Sequence, residues 1–143
     1  MNIKISVSTG EPRPDVFIAT IHRATSPAEL QMDPKEFYEK FCGSIPQGAH
    51  HELELLTDLS THPYQALIHT HWSARAGKRF VCWTGQLQTE TQAISMFRIW
   101  CVGTAYTLKH GKDFGEEYVA HQTDFFEHMR QTFGIFIANE ELL

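Results

Sequence analysis

The strict alternation of apolar and polar residues at the start of the chain is the feature that most constrains its fold. Residues 2–8 alternate in this way, and residues 15–23 repeat the pattern after a break around Gly10 and Pro12. A period of two is typical of strands with one buried face. The sequence therefore predicts two strands paired as a hairpin, with one apolar side formed by Ile3, Ile5, Val7, Phe17, Ala19 and Ile21.

The middle of the chain also has a β-like pattern. We predict three strands between residues 52 and 90, separated by turns at 60–63 and 76–78 with a hairpin tip at 74–78, and a central strand at 93–102 with a bulge at Gly103. On the strand through residues 64–73, one face is predicted to be apolar and the other to carry His69 and His71. The apolar face consists of Tyr64, Ala66, Ile68, Thr70 and Trp72.

Two amphipathic helices are predicted to cover the sheet. One begins at Asp33, which precedes Pro34 at the first helical position and Glu36 at the third. The other occupies about residues 115–133 and ends at Gly134. The apolar tail 135–138 is predicted to return to the sheet or to lie under a helix. The prediction is therefore one α+β domain, residues 1–143, with a curved antiparallel sheet in the order β-β-α-β-β-β-β-α.

Charge and hydropathy exclude several functional classes. The net charge is −5, and the twelve Lys and Arg residues form no basic stripe of the kind a nucleic-acid groove requires. The sequence contains no apolar run of about 20 residues and no signal-peptide pattern, so we expect a cytoplasmic protein that does not span a membrane. Neither a phosphate-binding loop nor a catalytic serine motif is present, and no catalytic residue is assigned.

Three cysteines lie far apart in the sequence, at Cys42, Cys82 and Cys101. Their odd number and the lack of a CxxC pair disfavour a disulfide scaffold and a zinc knuckle. Because Cys82 and Cys101 lie within apolar runs, we interpret them as buried and inert. Cys42 precedes Gly43 and is the thiol we would test for reactivity.

The segment His69-Thr70-His71 is the arrangement of polar residues that most favours a metal site. On a strand, two residues separated by one lie on the same face, so His69 and His71 could share a divalent metal ion such as zinc. A third ligand would have to come from elsewhere in the fold. The alternative is that both histidines face solvent or a partner. Candidates for the third ligand are His62, His121, His128, Glu52 and Glu54.

Aromatic residues suggest a different site. Trp72, Trp83 and Trp100 fall on three predicted strands and, with Tyr64, would either fill the core or line a concave apolar surface for a polypeptide. In the second case we expect these four residues to bind the partner, for example an apolar helix.

The layout of elements resembles the PsbP/DcrB-like family of α/β sandwiches. The likeness rests on Phe97-Arg98-Ile99-Trp100-Cys101-Val102-Gly103, which leads through Ala105-Tyr106-Thr107-Leu108 to a helix ending near Gln131-Thr132-Phe133. The resemblance implies a mostly non-enzymatic role, as in accessory proteins of photosynthetic complexes, lipoproteins and cytosolic chaperones of type VI secretion effectors. It carries no residue-level functional motif.

We therefore expect a non-enzymatic accessory protein that binds a polypeptide, such as a cytosolic chaperone for a secreted effector, with a homodimer as the candidate assembly and no cofactor. One alternative is a small metal-dependent enzyme built on His69 and His71. Another is an immunity protein that blocks a toxin.

Overall fold

In the computed structural model, residues 2–24, 35, 50–74, 76–82, 87–115 and 124–143 are described, and they form a six-stranded antiparallel sheet with two α-helices. This is the predicted α+β class. The strands are β1 (Ile3–Thr9), β2 (Asp15–Ala24), β3 (His50–Leu55), β4 (Thr70–Ser73), β5 (Lys78–Val81) and β6 (Ile137–Leu142). The helices are α1 (Glu90–His110) and α2 (Phe125–Phe133), and the strand order is β4-β5-β3-β2-β1-β6.

The hairpin predicted from the N-terminal alternation is confirmed. Ile5 pairs with Ala19 and Val7 pairs with Phe17, so the apolar residues of both strands lie on one face. All four side chains are fully or almost fully buried. This face, together with Leu53 and Leu55 of β3, forms the sheet side of the core.

The central strand predicted at residues 93–102 is wrong, because this segment lies inside α1. The helix begins with a capping box, in which Thr89 Oγ1 accepts the Gln92 N–H at 3.1 Å and the Gln92 side chain accepts the Thr89 N–H. It ends at Gly111, whose φ is +66°. Residues 101–107 are all buried, which hides the helical period in the sequence. Gly103 is accordingly a helix residue and does not form a bulge.

Trp100 joins α1 to the sheet. Its ring packs edge-on against Phe17 at 5.5 Å between centroids and stacks on Phe97 at 5.7 Å. Its indole N–H donates a hydrogen bond of 2.9 Å to the carbonyl of His69. The core of the domain therefore also fixes the backbone immediately before β4.

The strand predicted through residues 64–73 is wrong in its first half. Gln65–Leu67 is a 3-10 helix, and extended structure begins at Thr70. The polar turn at 60–63 continues into this helix, since the Gln65 N–H donates to the His62 carbonyl. The hairpin tip at 74–78 is confirmed, because Ser73 pairs with Lys78 and Gly77 has a φ of +65°.

The C-terminal part differs from the prediction at Asp124, a non-helical N-cap with a φ of −151°, so the continuous helix predicted over residues 115–133 is wrong and α2 begins only at Phe125. The predicted end of the helix and the return of the tail to the sheet are confirmed. α2 ends at Gly134, with a φ of +66°, and the tail returns to the sheet as β6, which pairs with β1. The N-terminal half of the predicted helix 115–133 lies mostly outside the described residues. The predicted helix at Asp33 also lies outside them, apart from Lys35, which is helical.

Candidate functional site

Two features of the β4–β5 hairpin are candidates for function: a groove beside Trp72 and a polar cluster on the sheet face opposite α1. The register places Glu54, Phe80 and His71 side by side on three neighbouring strands. Because Leu53 and Leu55 face α1, Glu54 and its register partners lie on the opposite face. We call this the second face.

Two polar contacts converge on Glu54 on the second face. His22 Nε2 lies 2.7 Å from Glu54 Oε1, and Lys78 Nζ lies 3.9 Å from the same oxygen. Glu52, two residues before Glu54 on β3, is completely buried. Ionisable groups are therefore concentrated on this face of the sheet.

His71 and Cys82 form a direct imidazole–thiol contact on the second face. His71 Nδ1 lies 3.3 Å from Cys82 Sγ. The imidazole also stacks on the ring of Phe80, with 5.7 Å between centroids and 21° between planes. Phe80 is itself buried, so the imidazole is held against a fixed surface.

His69 makes a different set of contacts. Its Nε2 lies 2.6 Å from Asp113 Oδ1, which also accepts the Gly115 N–H at 2.8 Å. Its ring packs against Phe114 at 4.7 Å. His69 and His71 are thus engaged with different partners, although only one residue separates them.

Within the described ranges, no three or more His, Cys, Asp or Glu side chains are grouped so that they could hold a metal ion. His62 and His128 lie on a loop and on α2, and His121 lies outside the described residues. Metal binding by His69 and His71 stays a prediction, which elemental analysis of untagged protein would test.

Trp72 lies beside a groove of about 380 Å³ between the 56–60 loop and the β4–β5 hairpin. Its side chain is 51% exposed, and Leu56 on the opposite wall is 41% exposed. The guanidinium of Arg79 lies over the indole, 5.7 Å from the ring centroid, and donates a hydrogen bond of 3.0 Å to Thr70 Oγ1. The Trp72 indole therefore forms an aromatic wall of the groove, and the Arg79 guanidinium holds it in this orientation.

Among the strands of the described residues, β4 is the outermost at this end of the sheet. Cys82 N–H donates to the His69 carbonyl and Gly77 N–H donates to the Ser73 carbonyl, so the odd-numbered residues point their backbone groups toward β5. Because the bonding direction alternates along an antiparallel strand, the N–H and C=O of Trp72 point away from β5. The exposed indole and an outward-facing backbone thus come from the same residue.

A second groove, of about 370 Å³, lies between the β1–β2 turn, the end of α1 and Gly134. Asp15 and His62 line it, and burial raises the pKa of the Asp15 carboxyl while the nearby charge of His62 opposes that rise. Both signs of charge are present, from Arg13, Lys109, Glu11 and Asp15. This mixed lining favours no single class of ligand.

No protein-family model, curated protein or solved structure matches this chain. Among the residues that the structure describes, none of the helices is both long and apolar enough to cross a bilayer.

The four aromatic residues predicted to bind a partner lie in different places. Trp72 is exposed beside the groove, and Tyr64, which is 41% exposed, packs against Gly111 and His62. Trp100 was predicted on a strand but lies on α1 and is 1% exposed, as a core residue would be. Trp83 lies outside the described residues. The apolar face predicted for residues 64–72 is wrong, because Tyr64 and Trp72 are exposed and Ile68 is buried.

Of the two described cysteines, Cys82 differs from the sequence-based interpretation. Cys101 is fully buried as predicted, and burial raises its thiol pKa well above the ordinary value. Cys82 is half-buried and contacts His71, which the apolar sequence around it did not indicate. The pairing of β4 with β5 could have indicated this contact, since it places residues 71 and 82 diagonally across the hairpin. Cys42 lies outside the described residues.

Proposed function

We propose that this protein binds a polypeptide, and that an extended segment of the partner adds to the sheet along β4 with Trp72 as its anchor. The observation that carries this proposal is the exposed indole of Trp72 beside a 380 Å³ groove on an outer strand. Backbone pairing gives such a complex its affinity, and side-chain pockets give it specificity.

The side chain of Trp72 suits this role because it is large, exposed and held in place. Tryptophan is among the residue types that most often dominate binding energy at interfaces. Arg79 stacks on the indole and is itself bonded to Thr70, so little side-chain freedom is lost when a partner binds. Leu56 supplies an opposing apolar wall, so an apolar side chain of the partner would be enclosed from two directions.

The backbone of β4 adds a second requirement for the partner. The Trp72 N–H and C=O point outward and can pair with an extended chain. Side chains of an added strand alternate between the two faces of the sheet. The partner segment should therefore be extended and carry apolar residues at alternate positions. A secreted effector and a toxin are both polypeptides, so this mode of binding suits either partner expected from the sequence.

Labelled heptapeptides with alternating Leu and Thr test the proposal by fluorescence anisotropy. In the first companion peptide every Leu is replaced by Ser. The second has Pro at its centre, so that one backbone N–H is lost. We expect the alternating peptide to bind, and both companions to bind at least tenfold more weakly.

Trp72→Ala should weaken binding of the alternating peptide by about 30-fold, a typical hot-spot loss of 2 kcal/mol. Val16→Ala is the matched control, because Val16 is an exposed apolar residue on β2, an inner strand. If Trp72→Ala bound the alternating peptide as tightly as Val16→Ala, or if no peptide bound the wild-type protein, the proposal would be rejected.

A further inference from the structure

The contact between His71 and Cys82 has the geometry of a base beside a nucleophile. With its own proton on Nε2, His71 presents Nδ1 as an acceptor 3.3 Å from the sulfur. Thiols become reactive as thiolates, and an adjacent imidazole is a common means of forming the thiolate.

The surroundings of the pair distinguish it from a chance neighbour contact. Phe80 stacks on the imidazole and is 1% exposed, so the ring is held in the plane that directs Nδ1 toward the sulfur. The Cys82 N–H donates a hydrogen bond to the His69 carbonyl, which fixes the backbone on the cysteine side. Cys82 is half-buried, so part of the residue is open to solvent, unlike Cys101.

We propose that Cys82 is a modification site for small electrophiles, hydroperoxides in particular, and that His71 is the base that accepts the thiol proton. Size is limited by the partial burial of Cys82.

The reaction with a hydroperoxide balances with the groups present. The thiol proton moves to His71 Nδ1, and the sulfur attacks the terminal oxygen of the hydroperoxide. An S–O bond forms while the O–O bond breaks, and the departing alkoxide takes the proton from His71. The sulfur is oxidised to a sulfenic acid and the hydroperoxide is reduced to an alcohol.

Cys101 provides an internal control. It is completely buried in the helix-covered core, and burial raises its thiol pKa. A reagent that labels Cys82 in the folded protein should therefore leave Cys101 unmodified. Labelling of Cys101 would report loss of the fold.

The test is site-resolved labelling of the full chain with iodoacetamide, with the three cysteines quantified separately by peptide mass spectrometry. We expect native Cys82 to react at least fivefold faster at pH 7 than the same residue in urea-unfolded protein. A second arm exposes the protein to hydrogen peroxide with dimedone as the trap for sulfenic acid, and we expect the adduct on Cys82.

His71→Asn should slow labelling of Cys82 about tenfold at pH 7, with a smaller difference at pH 9, where thiols ionise without a base. His110→Asn is the control, because it removes an exposed imidazole at the end of α1. The other titratable groups that face this site from the described strands are His22, Glu52, Glu54 and Lys78, and all are unchanged in both variants.

Native Cys82 that reacts no faster than unfolded Cys82 would overturn the proposal, and this measurement needs no variant. The same conclusion would follow if His71→Asn kept the wild-type rate at pH 7 while Cys101 stayed protected. If hydrogen peroxide produced no dimedone adduct on Cys82, hydroperoxides would be rejected as the class of reagent.

Discussion

The ring of Phe114 lies directly against the backbone of Gly103, so that a Cβ atom at position 103 would be 2.4 Å from Cδ2 of Phe114. Phe114 also packs on His69, whose carbonyl accepts the Trp100 indole N–H. The packing of Phe114 against Gly103 therefore supports the chain segment that leads into β4. This strand carries Trp72 and His71, the central residues of the two proposed sites.

Gly103→Ala should destabilise the protein. In a helix interior the change would ordinarily stabilise by about 1 kcal/mol. Here the new Cβ would meet a buried ring, and overpacking of this kind costs about 1–3 kcal/mol. We expect a net loss in the free energy of unfolding, measured by urea denaturation, whereas Ser95→Ala at an exposed position of α1 should have little effect. A stabilised Gly103→Ala variant would show that the ring does not pack there.

Gly111→Ala and Gly134→Ala form a matched pair. Both glycines follow a helix and have a φ of +66°, so each substitution should cost about 1 kcal/mol for the left-handed backbone. At Gly111 the added Cβ would also lie 2.7 Å from the Tyr64 ring, whereas nothing lies within 4 Å at Gly134. Urea denaturation should therefore show the larger loss for Gly111→Ala. Equal losses would mean that Tyr64 moves aside freely.

The Asp15 and Asp58 carboxyls should change stability with pH in opposite directions. Burial raises the pKa of Asp15, so its contribution is fully present below the ordinary value of 3.8 and is lost as pH rises through the folded pKa. Hydrogen bonds from Ser60 lower the pKa of Asp58, so its contribution is present above 3.8 and is lost as pH falls through the folded pKa.

Urea denaturation at pH 7 and at pH 3 tests both carboxyls. For Asp15→Asn, the free energy of unfolding relative to wild type should be higher at pH 7 than at pH 3. For Asp58→Asn, the same difference should be lower at pH 7 than at pH 3. Shifts of the same sign for the two variants would contradict these assignments.

The sequence predicted the strands whose two faces differ in polarity. β1 and β2 alternate between a core face and a polar face, and this pattern is visible without tertiary information. The same reasoning failed for α1, because seven consecutive residues from Cys101 to Thr107 are buried and no polar stripe remains to show a period of 3.6. Two sequence signals for the ends of a helix were present in that region: the capping pair Thr89 and Gln92 at the start and Gly111 at the end.

The candidate site was only partly predictable. Trp72 was identified from its aromatic character, but Leu56 and Arg79 join it from a loop and from the neighbouring strand. Spacing correctly made His69 and His71 close neighbours, yet it could not show that Asp113 and Cys82 would engage them separately. Contacts between segments that are distant in sequence are set by strand pairing and loop packing, and one sequence does not reveal them.

Backbone amide exchange at Trp72 is the most direct test of the proposed polypeptide-binding role. Hydrogen–deuterium exchange, read by NMR, should be followed with and without the alternating Leu–Thr heptapeptide, with the amides of β6 at the opposite edge as the internal control. We predict that the peptide slows exchange of the Trp72 amide by at least tenfold and leaves β6 unchanged. Unchanged exchange at Trp72 when peptide is bound, or slowing confined to β6, would contradict strand addition at β4.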